Sequence, residues 1–361
     1  MDAHPSPCPT PVGAHLQRLV HEGKTPGIQY VVVDATGVLC ACAAGWADIA
    51  SRKPMTLATT MMAYSMSKTI TAIAVLQLVE RGRVALDASV TRYLPESPYG
   101  DRVTIAELVS HTGGLPNPIP LRWVHPVAEH QSFDEDTALM RVWRAHPRTS
   151  REPGMHYAYS NVGYWMLGAL VTRVTGTPFT TYVAEHILQP LGLQPEELGY
   201  LIAEPDAHAT GYLERRSWAN LLSRWLLDAS LLGGNDGSWR RIGAHYPNGP
   251  AFGGLVGTAL GFGVFLRDQL QAHSVLLHDD TRALLYRQRQ TRAGAPVPMT
   301  LGWHVGSDPA GAFFFKEGGG GGCHCLMRLY PAQGLGSVVM TNATNVDVTR
   351  ELTTLDAMRP R

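Results

Sequence analysis

Lysine is scarce in this 361-residue chain, which contains only Lys24, Lys53, Lys68 and Lys316. Charged residues make up 17% of the chain, and 30 Lys and Arg balance 30 Asp and Glu to give a net charge of +0. Because there is neither a basic excess nor an acidic tail, we expect no nucleic-acid partner and a small-molecule ligand. Any motif that includes a lysine uses a rare residue of this sequence.

Long apolar runs are also missing. No uncharged apolar stretch of 18 residues occurs, which argues against a membrane-spanning helix. Residues 1–11 are polar and proline-rich, without the basic and apolar regions of a signal peptide. We therefore expect a cytoplasmic protein that has no membrane partner.

Cysteine is infrequent, and the five residues form an odd set: Cys8, Cys40, Cys42, Cys323 and Cys325. In a reducing compartment such a set predicts thiols rather than disulfides. Each Cys-x-Cys pair alone cannot complete a tetrahedral zinc site, and the histidines form no His-Glu-x-x-His motif. The sequence therefore predicts no metal and no cofactor. It also lacks Gly-x-Ser-x-Gly, which argues against an α/β-hydrolase elbow.

Strand patterns lie at both ends of the chain and helical patterns lie between them. Apolar and β-branched runs predict strands at 27–35, 37–45, 311–315, 323–330 and 334–341. Helical spacing predicts helices at 14–22, 65–81, 162–174, 257–271 and 348–358, while 200–250 reads as irregular. This order predicts an α+β fold with a sheet built from both termini. We expect a polar tail (1–12), a sheet domain (13–80 and 250–361) and a mainly helical insertion (81–249).

The first candidate motif is Ser65-x-x-Lys68, at the start of the long apolar helix. Positions i and i+3 share a helix face, so the hydroxyl and the amine can form a hydrogen bond. A lysine that is desolvated at this point can act as the base that a serine nucleophile needs. The alternative is a helix cap at Ser65 with Lys68 extending to solvent.

The second candidate motif is Tyr159-x-Asn161, in a loop that follows Pro153 and Gly154 and precedes a helix. A loop held in this way can present a phenol and an amide to one cleft. A second Tyr-x-Asn occurs at 246–248, but its surroundings are those of a simple turn. We therefore favour Tyr159 and Asn161.

The third candidate motif is an apolar strand that carries Lys316 and Glu317 and then five glycines, 318–322. Strand glycines allow close approach of a ligand, and free backbone N–H groups there can bind an oxyanion. A phosphate loop is excluded because the glycines lead into a strand instead of a helix. A flexible hairpin loop is the alternative interpretation.

Together, in this order, the three motifs resemble those of the serine β-lactamase and penicillin-binding-protein superfamily, in its class C-like branch with the family VIII esterases. Residues 108–116 (Leu-Val-Ser-His-Thr-Gly-Gly-Leu-Pro) resemble a further segment of that branch, as do 82–95, 159–168, 253–259 and 301–303. The similarity extends from about residue 15 to about residue 345. It implies a β-lactamase-like fold, in which the strands that carry the two cysteine pairs are separated by others.

The resemblance also implies roles for the motif residues. Ser65 would be the acylated nucleophile, Lys68 would take its proton, and Tyr159 would act as general base or acid. Asn161 would orient the acyl group, Lys316 would supply positive charge, and Glu317 and Gly318 would contact substrate. The backbone N–H groups of Ser65 and Gly319 would form the oxyanion hole. Near these motifs, His111 and His156 are weaker candidates for a supporting role.

Two positions depart from the superfamily pattern. Glu317 occupies the middle of a Lys-Thr/Ser-Gly motif, where a desolvated carboxylate would repel an anionic substrate. We therefore expect penicillins and D-Ala-D-Ala peptides to be poor substrates, and we expect a pairing of Lys316 with Glu317 to influence substrate choice. Gly261 replaces a frequent aspartate, which we expect to affect local structure only.

The resulting prediction is a serine hydrolase that acts on carboxylic esters or related small acyl compounds through an acyl-enzyme on Ser65. An acyltransferase that passes the acyl group to an alcohol or amine is one alternative. A β-lactamase or D-amino-acid amidase or peptidase is a second, and a non-catalytic binding protein on the same scaffold is a third. Residues 215–241, rich in Trp and Arg, fit either a cleft wall or partner surface, or a packed insertion.

Overall fold

A computed structural model of the chain describes residues 8–118, 123–217, 220, 228–308 and 311–359. Its strands are β1 Gly27–Asp34, β2 Val38–Asp48, β3 Lys53–Pro54, β4 Met61–Met62, β5 Val124–Pro126, β6 Leu198–Gly199, β7 Gly211–Glu214, β8 Leu232–Asp236, β9 Trp239–Ile242, β10 His245–Pro247, β11 Val256–Gly257, β12 His304–Asp308, β13 Gly311–Gly320, β14 Cys323–Tyr330 and β15 Leu335–Thr341. Its helices are α1 Thr10–His21, α2 Ser67–Glu80, α3 Ile105–Val109, α4 Glu135–Ala145, α5 Asn161–Thr175, α6 Phe179–Val183, α7 Pro250–Gly253, α8 Ala259–Leu270, α9 Asp279–Tyr286 and α10 Val348–Ala357.

Strands from both ends of the chain form one antiparallel sheet in the order β12-β13-β14-β15-β1-β2-β3. In the interior strand β1, Val31 pairs with Val338 of β15 and with Ala41 of β2. Alternate β1 residues point to opposite faces, so Val31 joins one apolar core and Val32 joins the other. The prediction of an α+β fold with a sheet from both termini is confirmed.

Helices cover both faces of this sheet. On one face, α1 and α10 contribute Leu16 and Leu352 to the core that contains Val32. On the other, α8 packs against β1 and β15 and contributes Phe262 and Phe265. The sheet is therefore enclosed, and its strands are rich in buried apolar residues.

Helix α2 runs through the larger core. All of its residues from Ser67 to Leu78 are buried, so it has no solvent-facing side. It ends at Glu80, one residue before the predicted end at 81, and Gly82 follows with a positive φ of 65°. A helix enclosed on all sides gives the residues at its start a fixed position, which is important for the site described below.

The region between the two sheet segments contains more strand than the sequence predicted. Residues 200–250 were expected to be irregular, but their described part contains β7, β9 and β8, which form a small sheet, and β10, which pairs with β5. These strands are too short for a clear period-2 pattern. In the 215–241 segment, Arg241 forms ion pairs with Asp48 and Asp236, which fits a packed insertion. Residues 218–219 and 221–227 of this segment lie outside the described residues.

The expectation that all five cysteines are thiols is wrong for two of them. Cys8 and Cys42 form a disulfide, and their Cα atoms are 5.9 Å apart. The bridge forms because the segment before α1 lies beside β2, a tertiary contact across 34 residues that no local pattern reveals. Cys40, Cys323 and Cys325 are free and buried. The expected separation of the two Cys-x-Cys pairs is confirmed, because β15 and β1 lie between their strands.

None of the helices in the described part of the chain combines the length and the apolar composition that a bilayer crossing needs.

Candidate active site

Ser65 lies in a 3₁₀ turn, Tyr64–Met66, immediately before α2. Its neighbour Tyr64 has a positive φ of 43°, which is uncommon for a bulky residue. The Tyr64 hydroxyl donates to the carbonyl of Gly321 at 2.7 Å and lies 3.0 Å from His245 Nε2. These contacts hold the unusual turn, so the Ser65 side chain has a defined direction.

The Ser65 hydroxyl lies between an amine and a phenol. Its Oγ is 2.9 Å from Lys68 Nζ and 2.8 Å from the Tyr159 hydroxyl. Lys68 Nζ also donates to Asn161 Oδ1 at 2.7 Å and to the carbonyl of Phe252 at 2.6 Å. The first two motifs therefore meet, although 93 residues separate Lys68 from Asn161.

Burial shifts the pKa values of the groups in this cluster. Burial, and then the charge of Lys316, hold the pKa of Lys68 well below its usual range, which favours a neutral amine. A neutral Lys68 has two N–H donors for Asn161 and Phe252 and a lone pair for the Ser65 hydroxyl. Burial also raises the pKa of the Tyr159 phenol, which therefore keeps its proton and donates to Ser65. With these protons, each hydrogen bond between Lys68, Ser65, Tyr159 and their neighbours has one donor and one acceptor.

Lys316, from the third motif, lies behind Tyr159. Its side chain is fully buried, and its Nζ is 5.3 Å from the centroid of the Tyr159 ring. Within the described residues this Nζ has no hydrogen-bond partner. Burial lowers the pKa of Lys316 to about 7, although Glu317 opposes the shift. A buried amine that titrates near neutrality gives the site a pH-dependent positive charge.

The expected pairing of Lys316 with Glu317 is wrong. Glu317 Oε1 instead bonds His324 Nε2 at 2.7 Å, and 43% of the Glu317 side chain is exposed. Successive residues of a strand point to opposite faces, so Lys316 and Glu317 on β13 face different partners. The Glu317 carboxylate is thus solvated, and the strong desolvated repulsion assumed from the sequence does not apply to it.

The glycine run allows β13 to approach the turn that carries Ser65. A Cβ at Gly318 would lie 2.1 Å from the carbonyl oxygen of Ala63 and 3.0 Å from the backbone nitrogen of Ser65. A Cβ at Gly320 would lie 2.5 Å from the Tyr64 ring. Gly318 to Gly320 therefore belong to an ordered strand rather than to a flexible loop. The substrate contact expected of Gly318 stays a prediction, because its inner side faces the Ser65 turn.

A cleft of about 280 Å³ opens in front of Ser65. It is lined by Tyr64, Ser65, Asn117, Trp123, Val124, Tyr159, Asn161, His245, Pro247, Phe252, Gly253, Gly319, Gly320 and Gly321. The two residues whose backbone N–H groups were expected to form the oxyanion hole, Ser65 and Gly319, share this cleft. The cleft is large enough for a small acyl compound and has an aromatic wall.

Sequence reasoning missed several lining residues. Asn117 accepts the backbone N–H of Asn161 at 3.0 Å, and Trp123, His245 and Phe252 come from separate segments. No spacing connects these positions, because only the tertiary fold brings them together. Of the second Tyr-x-Asn, at 246–248, Pro247 reaches the cleft.

The two supporting histidines differ in position. His111 is buried with its ring centroid 4.3 Å from that of Tyr159, and its Nδ1 accepts the Ser160 N–H at 3.2 Å. Burial holds the pKa of His111 well below its usual range, so it packs against Tyr159 as a neutral ring. His156 is exposed and has no such contact among the described residues. Sequence reasoning did not select His304, whose Nε2 lies 3.1 Å from the Tyr157 hydroxyl.

One cluster in the described residues has metal-ligand chemistry. The sulfur atoms of Cys8, Cys40 and Cys42 lie within 4.8 Å of one another, but two of them form the disulfide. The Ser65 cluster consists of a hydroxyl, two amines, a phenol and an amide, which suits acyl transfer.

The chain is similar to several known proteins in sequence or in fold. Esterase EstB of Burkholderia gladioli is 33% identical over 213 residues, which cover 55% of this chain and 53% of EstB. The chain thus matches about half the length of this relative. The D-amino acid amidase of Ochrobactrum anthropi SV3 has a similar fold, with a TM-score of 0.81 at 19% identity over 96% of this chain and 97% of that one. EstCE1, described as a hydrolase with promiscuous acyltransferase activity, has a TM-score of 0.74 at 23% identity. The match covers 96% of this chain and 97% of EstCE1.

A family model supplies the assignment. The model described as Beta-lactamase matches residues 12–357, which include all three motifs and the whole sheet. The chain belongs to the beta-lactamase family.

Proposed function

We propose that the protein is a serine hydrolase that cleaves small carboxylic esters through a covalent acyl-enzyme on Ser65. The observation that carries this proposal is the position of Ser65 Oγ, 2.9 Å from Lys68 Nζ and 2.8 Å from the Tyr159 hydroxyl. A nucleophilic serine needs a base within hydrogen-bond reach and a proton donor for the leaving group. Ser65 and Tyr159 line one cleft with Gly319, and the buried Lys68 reaches Ser65 from inside the protein.

The proposed acylation step follows from the proton positions. Ser65 Oγ attacks the ester carbonyl carbon, and its proton passes to the neutral Lys68 amine. The carbonyl oxygen becomes an oxyanion, which the N–H groups of Ser65 and Gly319 bind. The C–O bond then breaks, Tyr159 donates its proton to the leaving alkoxide, and the Lys68 ammonium returns a proton to Tyr159. Water attacks the acyl-enzyme, and the same groups carry its proton to Ser65 Oγ.

Several observations favour esters as the substrate class. The cleft wall of Trp123 and Phe252 is apolar and suits a neutral acyl group. The relative EstB is named an esterase. We retain acyl transfer to a bound alcohol or amine as a second candidate, because the similarly folded EstCE1 has that activity in its description. A β-lactamase or D-amino-acid amidase activity is a third outcome, since the amidase shares the fold.

A substrate panel tests the proposal. The purified protein is assayed with p-nitrophenyl esters, nitrocefin and D-phenylalanine amide, each with and without an added alcohol. We expect ester hydrolysis to exceed the other activities. Ester formation that outpaces hydrolysis when alcohol is present would select the acyltransferase, and no turnover of any substrate would contradict an enzymatic function.

Two tyrosines provide a matched pair of variants for this assay. Tyr159→Phe removes the hydroxyl that donates to Ser65, so we expect kcat/KM to fall by about 10²- to 10⁴-fold. Tyr157→Phe removes a hydroxyl that bonds His304 instead, and its activity should stay within about twofold of the wild type. Equal effects in both variants would contradict the role of Tyr159.

A further inference from the structure

A second and larger cavity lies next to the Ser65 cleft. Its volume is about 830 Å³, against about 280 Å³ for the cleft. Pro247 lines both spaces, but the cavity otherwise contacts different residues of segment 246–254, including Tyr246 and Pro250. We call it the Glu135 cavity, after the acid at the start of α4 that lines it. It has the size of a small-molecule site and is separate from the Ser65 cleft.

The wall of the Glu135 cavity is apolar and aromatic. Phe133, Tyr200 and Tyr246 present rings to it, and Leu188 comes from the π-helical turn Ala184–Leu188 that follows α6. Leu201 also lines it, and 54% of Leu201 is exposed, which indicates an opening to solvent. Aliphatic and aromatic surface of this extent favours a ligand with an apolar body.

Among the described residues, the cavity is lined by acids but by no strongly basic side chain. Glu135 and Glu185 line it, and no lysine or arginine does so in the described part of the chain. The imidazoles of His125 and His130, which also line it, bond each other at 2.9 Å, and burial lowers the pKa of both. They are therefore neutral near pH 7 and would not repel a cation.

Glu135 is partly buried, and its carboxyl forms no ion pair within the described residues. Burial, and then Asp136, raise the pKa of its carboxyl to about 8. The N–H of the fully buried Trp165 approaches it without normal hydrogen-bond geometry, and within the described residues neither that N–H nor the buried Tyr200 hydroxyl has a partner. A desolvated carboxyl in these surroundings is stabilised as an anion by a positive ligand.

We propose that the Glu135 cavity binds an organic ammonium ion with an apolar body, and that the cation pairs with Glu135. The ring faces of Phe133, Tyr200 and Tyr246 would add cation–π attraction, and Leu188 would contact the apolar body. A carboxylate ligand would meet two acids and no basic side chain. A neutral ligand would gain no charge pairing with Glu135. The site is independent of the chemistry at Ser65.

Calorimetry with three probes that share a benzyl group but differ in charge tests the proposal on the unmodified protein. The probes are benzyltrimethylammonium, benzyl alcohol and phenylacetate. We expect the ammonium to bind at least about tenfold more tightly than the other two. We also expect its affinity to rise at least about tenfold between about pH 6 and about pH 9, because only ionised Glu135 pairs with it. Equal binding of all three probes, or tighter binding of phenylacetate, would overturn the proposal.

A matched pair of variants assigns the binding to this cavity. Glu135→Gln keeps the shape of the side chain but removes its charge, and it should abolish both the ammonium preference and the pH dependence. Glu185→Gln removes the second, less enclosed acid and should change the affinity by less than about twofold. An unchanged preference in Glu135→Gln, with a native melting temperature, would place the cation elsewhere and refute the assignment.

Discussion

Lys68 is the residue on which the proposed chemistry depends most, because burial holds the pKa of its amine well below the usual range of a lysine. Its amine contacts Ser65, Asn161 and Phe252, and Lys316 lies close enough to lower its pKa further. Two of the four lysines of the chain thus lie near one phenol, Tyr159. The Nζ atoms of Lys68 and Lys316 are 5.0 and 5.3 Å from the centroid of its ring. The scarcity of lysine made both positions conspicuous in the sequence.

The titration of Lys316 leads to a prediction about stability. Its pKa is about 7 in the folded protein and 10.5 in an unfolded chain, so the unfolded state binds more protons between these values. This residue therefore makes the free energy of unfolding increase as the pH rises from about 7. In Lys316→Met that contribution disappears, and urea titrations at several pH values should show a smaller increase than in the wild type. An equal or larger increase in the variant would contradict the burial of a neutral amine.

Glu317 leads to a prediction about substrate charge. The wild type should turn over anionic β-lactams poorly, but the exposed Glu317–His324 pair limits the penalty. Because an exposed charge contributes up to about 1 kcal/mol, we expect Glu317→Thr to raise kcat/KM for ampicillin by about three- to fivefold. Neutral esters should change little. Efficient ampicillin turnover by the wild type, undiminished relative to Glu317→Thr, would show that this carboxylate does not influence substrate choice.

At the scale of elements, the nucleophile turn and β13 are positioned by close backbone packing. The inner faces of Gly318 and Gly320 lie against Ala63 and Tyr64 and leave no room for a side chain. This packing brings Gly319 to the cleft beside Ser65. A sheet strand and a buried helix thus form the site jointly, and neither element is sufficient alone.

Substitution of Gly318 tests this packing. In Gly318→Ala the new Cβ would lie 2.1 Å from the Ala63 carbonyl oxygen, so β13 or the Ser65 turn must move. We expect a loss of about 1–3 kcal/mol in unfolding free energy. Ester hydrolysis should fall by about tenfold or more, since small displacements at a reacting centre have large kinetic effects. Gly234→Ala, a strand glycine with open space around its Cβ position, is the control and should resemble the wild type. Full activity in Gly318→Ala would refute the tight contact.

Elements with strong periodicity were predictable, whereas contacts between distant segments were not. The apolar run of β1 and the mainly apolar α2 indicated their structure directly, and each lies within a few residues of its expected bounds. The sequence also predicted Ser65, Lys68 and Tyr159 as site residues from short motifs, and the structure brings these three side chains together. Asn117 and Trp123 reach the cleft only through the fold, and the partner of Glu317, His324, depends on strand register.

At the scale of the whole molecule, the two ends of the chain close one sheet, and a disulfide adds a covalent link near its N-terminal end. Cys8 precedes α1, and Cys42 lies in β2, on which α1 packs. The link joins the start of the described chain to the core that contains Cys40. The prediction of reduced thiols depended on the expected cytoplasmic compartment. The disulfide between Cys8 and Cys42 contradicts that prediction for these two residues.

Thiol counting and a mutant cycle test the disulfide. Under denaturing conditions without reductant, we expect three reactive thiols, from Cys40, Cys323 and Cys325. Cys8→Ala should lower the free energy of unfolding by about 2–4 kcal/mol. Cys42→Ala should have a similar effect, and the double variant should lose little more, because both changes break the same bond. Five reactive thiols, or additive losses, would contradict the bond.

The central claim is that Ser65 forms a covalent acyl-enzyme, and intact-protein mass spectrometry after treatment with a fluorophosphonate or a p-nitrophenyl ester tests it most directly. We predict one adduct per chain in the wild type and none in Ser65→Ala. Ser67→Ala is the matched control, because Ser67 bonds the backbone of Tyr64 and Leu255 and should leave the adduct on Ser65. An adduct that persists in Ser65→Ala, or a wild type that never forms one, would contradict the account.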